Sequence, residues 1–131
     1  SSDLFDETSR AENVRRAAHM ARLLNDNAIH AVVAMVSPAA GARAAAYATI
    51  GLQRCKEIFV STPLQVCEQR DPKGLYARAR ANPLAQMTGV QAAYDTPLAP
   101  WLLIDTSITD VTLAVTQLLA CRNTETEPHH P

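Results

Sequence analysis

The sequence predicts an α/β layered domain with a parallel sheet, and three observations carry that expectation. Helical and extended patterns alternate along the chain, as they do where strands are joined by covering helices. The run Ile29-His30-Ala31-Val32-Val33-Ala34-Met35-Val36 is nearly continuous in its apolarity rather than alternating, which suits a strand covered on both faces. A length of 131 residues, 47% of them hydrophobic, is enough for one compact core and too short for two.

The first helix is expected over residues 9–25. Ser9 and Glu12 have the S-x-x-E spacing of a capping box, and Val14, Ala17, Ala18, Ala21 and Leu24 recur at helical intervals. The apolar run 29–36 follows as a strand closed by Ser37-Pro38, then an alanine-rich helix over 39–53 with Gly41 near its start and Gly51 near its end. Residues 57–61 read as another strand, with Thr62 as N-cap and Pro63 as the first position of a helix that runs to Arg70. Asp71-Pro72-Lys73-Gly74 breaks that helix, because Pro72 disfavours helical geometry at Asp71 and Gly74 weakens continuation. A short helix over 75–81 precedes a largely irregular excursion over 83–100, which carries Gly89, Pro97 and Pro100. Trp101 opens a last short strand over 101–104. The closing helix, over 107–122, starts near Ser107 and Asp110 and places Val111, Ala114, Val115, Leu118 and Leu119 on one face. The domain is expected over 1–123, with 124–131 as a polar tail.

Bulk properties narrow the function classes. A formal net charge of -1 gives no chain-wide field to draw the protein to nucleic acid or anionic lipid, so any anion site must be local. Cys55, Cys67 and Cys121 lie far apart with no C-x-x-C pair, which suggests neither a zinc site nor a disulfide framework and fits a cytoplasmic setting. No apolar run approaches the roughly 20 residues that span a bilayer. His19 and His30 lack partner spacing for a metal or a Cys-His pair, and Cys67 reads as a small buried hydrophobe. No residue is therefore assigned to catalysis or to a metal.

The densest unusual segment is Arg70-Asp71-Pro72-Lys73-Gly74-Leu75-Tyr76-Ala77-Arg78-Ala79-Arg80, with four cations around a helix break. Charge alone leaves a solvated basic turn as the plainer reading. The order of residues is more informative: Pro63-Leu64-Gln65-Val66-Cys67-Glu68-Gln69-Arg70-Asp71-Pro72-Lys73-Gly74-Leu75-Tyr76, with Arg78 and Arg80 after it, closely resembles a signature of the adenylylsulfate (APS) kinase family.

Similarity to that family extends from about Phe5 to Leu119 and implies a three-layer P-loop-kinase-like domain. It implies an APS site in which Phe5 stacks on adenine, Arg10 binds the anionic part and Asn13 hydrogen-bonds. Arg10 and Asn13, three residues apart, share one side of a helix; by spacing alone they would be a solvated turn and Phe5 core. Val36-Ser37-Pro38 resembles the family's strand-end I-S-P, where backbone and serine approach the ligand. Lys73 joins this set, Arg70, Gly74, Leu75, Arg78 and Arg80 form the implied lid, and Tyr94 and Arg43 match a tyrosine and an arginine of the family. Met87 stands where the family has an aromatic over adenine; its polarizable sulfur can cover a ring, less rigidly. The implied activity of the parent protein, in sulfate assimilation, is ATP + APS to ADP + 3'-phosphoadenylylsulfate with Mg2+, in a homodimer or fused to ATP sulfurylase.

Departures from the family pattern support a second expectation. No G-x-x-x-x-G-K-[ST] occurs, and the glycines are Gly41, Gly51, Gly74 and Gly89. The family's D-G-D segment is likewise not found, so the N-terminal P-loop unit is expected to be absent from this chain, which alone would bind neither ATP nor Mg2+. Ser9 replaces an aspartate near the ligand, and Ala39 and Ala40 replace tyrosine and arginine. The alternative is thus a non-catalytic sulfonucleotide-binding regulatory or assembly domain.

Overall fold

The computed structural model describes residues 7–84, 87, 90 and 92–122. Phe5 and the tail 124–131 lie outside the described residues. The helices are α1 (Glu7–Asp26), α2 (Ala40–Ile50, followed by a 3-10 turn at Leu52–Arg54), α3 (Leu64–Arg70), α4 (Leu75–Ala81) and α5 (Val111–Arg122). The strands are β1 (Ile58–Val60) and β2 (Leu102–Ile104), paired in parallel with Ile58 opposite Leu102 and Val60 opposite Ile104. Parallel neighbours require a long crossover. Here the chain between β1 and β2, which includes α3 and α4, supplies it, so the expected α/β architecture with a parallel sheet is present.

The core between α1 and α2 is built from small side chains. Val14, Ala18 and Ala46 are buried together, and Ala42, Tyr47 and Ile50 pack against them. Alanine at the crossing lets two helix backbones come close, so many weak dispersion contacts replace a few large ones. α2 ends at Gly51, whose φ of 105° no side-chain-bearing residue adopts easily and whose N–H reaches Tyr47 O at 2.8 Å. Arg54 then reaches back to Asp26 Oδ1 at 2.8 Å and ties the helix ends together.

Four local expectations need correction. The capping box is not formed: α1 is already under way at Glu7, Ser9 lies inside it, and the Glu12 carboxylate takes hydrogen bonds from Arg15 and Arg16 instead. Two guanidinium donors on the same face outcompete a backbone amide for one carboxylate. Pro63, not Thr62, is the N-cap of α3; the Thr62 hydroxyl is engaged by Thr106 across the sheet end. Ser107 lies in a turn before α5, held by Asp105 Oδ1, and Asp110 caps the helix by accepting from Leu113 N at 2.8 Å.

The fourth correction is the largest. Residues 29–36 carry no regular secondary structure, and Ala28 (φ 57°) and Ser37 (φ 37°) bracket them with positive backbone angles. Val32 is 95% exposed and Val36 63%. Apolarity predicts that a segment will be covered, but a strand also needs a hydrogen-bonded neighbour. Among the described residues the sheet consists of β1 and β2, and neither pairs with this stretch. α5 shows the same condition: Val111, Val115, Leu118 and Leu119 are all exposed.

Burial therefore predicts opposite outcomes for two valines. Val14→Ala removes two buried carbons and should cost about 1.5–2 kcal/mol in urea unfolding. Val32→Thr should change stability by less than about 0.5 kcal/mol. Equal losses would mean that residue 32 is covered in solution.

Candidate functional site

The loop between α3 and α4 is assembled by its own side chains. Asp71 N–H closes α3 on Cys67 O at 3.0 Å, and the Asp71 carboxylate accepts from Tyr76 N and Ala77 N, both at 3.1 Å. One residue thus ends a helix and caps the next. Burial pulls the Asp71 carboxyl upward, but the backbone N–H groups of Ala77, Tyr76 and Leu75 and the Arg78 cation together leave it below the usual carboxylate range. Gly74 has φ 62°, with open space where a Cβ would be, so its backbone angle rather than crowding calls for glycine.

Three of the four cations in this segment hold protein groups. Arg70 donates to Thr106 Oγ1 at 2.7 Å and Thr106 O at 2.9 Å, fixing the end of α3 to the turn after β2. Arg78 folds back on Lys73 O and Gly74 O. Arg80 pairs with Glu68, joining α4 to α3. The Lys73 backbone carbonyl is held by Arg78, but its side chain is exposed and, among the described residues, its ammonium makes no hydrogen bond or ion pair. The loop is rigid at its base, with a solvated ammonium at its tip.

A second cluster lies at the start of α2. Arg43, buried, donates from Nη1 to Ser37 O (2.8 Å) and Pro38 O (3.1 Å) and from Nη2 to Asp95 O (2.6 Å). Its Nε lies 3.4 Å from Glu57 Oε2, and the Tyr47 hydroxyl donates to the same carboxylate. Burial first, then the hydrogen bond to Glu57, push the Tyr47 phenol upward, so it remains a protonated donor. Asp95 also takes the Ala40 N–H at 2.9 Å, supplying from a distant loop the cap that Ala39 lacks. Glu57, Asp95 and Thr106 had no motif to mark them; their partners are 14, 52 and 36 residues away.

Beside this cluster is an open, mostly apolar groove of about 920 Å³ between α1, α2, the 30–37 stretch and the end of α5. Of the expected site residues, Val36 and Ser37 line it. Arg10 and Asn13 are half-buried on α1, Met87 is half-buried in the excursion, and these three, like the lid residues, are not among its lining. Trp101 carries Lys56 Nζ 4.5 Å above its ring at the sheet's edge.

The displaced carboxylates are fixed anions rather than proton donors. Hydrogen bonds from Arg15 and then Arg16 hold Glu12 at about 2, and Ser107 lowers Asp105. Among the described residues no three His, Cys, Asp or Glu converge on a metal position. This donor set does not fit a magnesium-bound triphosphate, which needs a hydroxyl and carboxylates for the metal and a run of backbone amides for the phosphates.

A parallel α/β layer with helices around it and a basic loop closing after a sheet strand defines the class: a P-loop-kinase-like fold. The chain belongs to the adenylylsulphate kinase family, whose model matches residues 1–105. It is 39% identical over 116 residues to the adenylyl-sulfate kinase of Pseudomonas aeruginosa, covering 88% of this chain and 59% of that protein. With the Bacteroides fragilis adenylyl-sulfate kinase it shares 43% over 115 residues, covering 88% of this chain and 57% of that one. The chain thus spans a little under three fifths of these curated relatives. The solved APS kinase CysC of Mycobacterium tuberculosis, in complex with AMPPNP and APS, superposes with a TM-score of 0.85 at 36% identity, covering 92% of this chain and 70% of that one. No described helix is long and apolar enough to cross a membrane.

The Asp71 cap makes a pH prediction. A folded-state value below the unfolded one stabilises the protein above the ordinary aspartate range, and that stability is lost as pH falls through the lowered folded value. Asp71→Ala should therefore lower the melting temperature at pH 7 and speed hydrogen exchange at Tyr76 and Ala77. The difference from wild type should shrink as the solution is acidified below the ordinary aspartate value; a pH-independent difference would count against the cap.

Proposed function

We propose that this chain forms the adenylylsulfate-binding part of an adenylylsulfate kinase, whose whole protein transfers the γ-phosphoryl group of ATP to the ribose hydroxyl of APS. One observation carries the reading: the backbone follows, over 92% of its length, a kinase solved with APS and a nucleotide in place. In this reading Phe5 and Met87 cover the adenine, Arg10 takes the anionic part, and Asn13, Val36 and Ser37 supply hydrogen bonds. Lys73, at the tip of the self-braced α3–α4 loop, is the mobile charge that reaches the ligand. Arg70, Arg78, Arg80, Gly74 and Leu75 hold that loop in shape. The family's chemistry is phosphoryl transfer between nucleotides, for which cytoplasmic ATP and magnesium serve the whole protein.

A second reading, a non-catalytic sulfonucleotide-binding domain, is favoured by Ala39 and Ala40 at the start of α2 and by Met87 in place of an aromatic. The two readings share a pocket and differ in turnover. A kinase reading requires that the longer protein form phosphoadenylylsulfate; a binding domain would not.

The 131-residue chain should bind APS or phosphoadenylylsulfate more tightly than ATP, and should form no phosphoadenylylsulfate by itself, since it has no phosphate-cradling glycine motif. Arg10→Ala should weaken APS binding roughly tenfold to a hundredfold, the worth of a charge-assisted hydrogen bond. Arg22→Ala is the control: that side chain is solvated, 3.8 Å from Asp26 on the same helix. Calorimetry with both nucleotides decides it. Equal affinities for ATP and APS, or equal losses from the two arginine variants, would overturn the assignment.

A further inference from the structure

The ligand contacts proposed above do not use Arg43, the one charged side chain buried among the described residues. Its surroundings are built. Three stretches distant in sequence meet on one guanidinium: the 37–38 turn through Ser37 O and Pro38 O, the 94–95 loop through Asp95 O, and the residue before β1 through Glu57. Its Cζ lies 5.6 Å from the Tyr94 ring centre, and Tyr94 stacks on Phe59 of β1 at 5.9 Å. The two outer stretches are also sewn to each other, by Asp95 N on Pro38 O and by the Asp95 carboxylate on Ala40 N, both at 2.9 Å.

What this assembly holds is an unfavourable backbone. Ser37 has φ 37°, a conformation that a serine keeps only when its surroundings over-determine it. The Ser37 carbonyl accepts from Arg43 Nη1 at 2.8 Å, while Nη2 of the same group donates to Asp95 O at 2.6 Å. We infer that Arg43 is a positioning residue: it locks Ser37 in its ligand-facing conformation and makes the 36–38 turn and the 94–95 loop move as one body. This rests on the APS-binding reading of Ser37. A planar fork can serve carbonyls on several sides at once, whereas a lysine ammonium would have to choose among them. The requirement is therefore for geometry, and a positive charge alone does not meet it.

The test compares Arg43→Lys and Arg43→Met with Val14→Ala, a core variant that destabilises the same helix pair without touching the guanidinium. APS binding is measured by calorimetry at a temperature where all three are folded, and Ser37 and Asp95 amide resonances are recorded by NMR. Both Arg43 variants should lose about tenfold or more in APS affinity, against less than about twofold for Val14→Ala. The Ser37 and Asp95 amides should shift in both Arg43 variants while those of Tyr76 and Ala77 stay in place. Full recovery by lysine would overturn the geometric requirement, and unmoved Ser37 and Asp95 amides would overturn the lock whatever the ligand. Wild-type binding with unchanged affinity in Arg43→Met would sink this inference alone. Failure of the wild type to bind APS would sink the functional reading and this one with it.

Discussion

A single buried guanidinium organises the end of the domain where the sheet, α2 and the irregular excursion meet. Isolated burial of a cation is costly, and Arg43 is tolerated because backbone carbonyls, the Glu57 carboxylate and the Tyr94 ring surround it. Such an arrangement ties segments together more firmly than apolar contact does, because each partner lost leaves a polar group unsatisfied. The turn carrying Ser37, the start of α2 and the 94–95 loop take their relative placement from it. This matters because the buried residues between α1 and α2 are small, Val14, Ala18 and Ala46.

The rest of the molecule is held by a similar division of labour between small apolar contacts and directed polar ones. Thr62 and Thr106 bind each other where β1 and β2 end, and Arg70 adds the end of α3 to that junction. The basic loop after it is consequently less a cloud of positive charge than a braced hairpin of two short helices. Two of its cations hold carbonyls, a third holds a carboxylate, and Lys73 is left for solvent or ligand. Charge density in the sequence overstated what is available to an anion.

The stretch 29–36 and α5 show the complementary constraint. A buried parallel strand requires partners on both edges and layers on both faces. The apolar composition of 29–36 satisfies the second demand and cannot by itself meet the first. The stretch therefore lies beside an open groove with Val32 and Val36 in solvent. Val33 and Met35 in this stretch and Val111, Leu113, Val115, Leu118 and Leu119 on α5 are exposed as well.

What the sequence determined by itself was whatever depends on neighbours within a few residues. Apolar periodicity placed α1, proline and glycine placed the break at 71–74, and α4 fell at 75–81 as its composition implied. The ordered string from Pro63 to Arg80 also sufficed to indicate the family. Tertiary structure alone decided which of those residues remain free to act. Arg70, Arg78 and Arg80 look alike in the sequence, but their partners are Thr106, the loop carbonyls and Glu68. Whether 29–36 becomes a strand was likewise undecidable locally, and so was the choice of Asp95 and Glu57 as supports for Arg43. The reason is physical: a helix satisfies its backbone within four residues, whereas strand pairing and a guanidinium's acceptors are supplied by segments that only folding brings together.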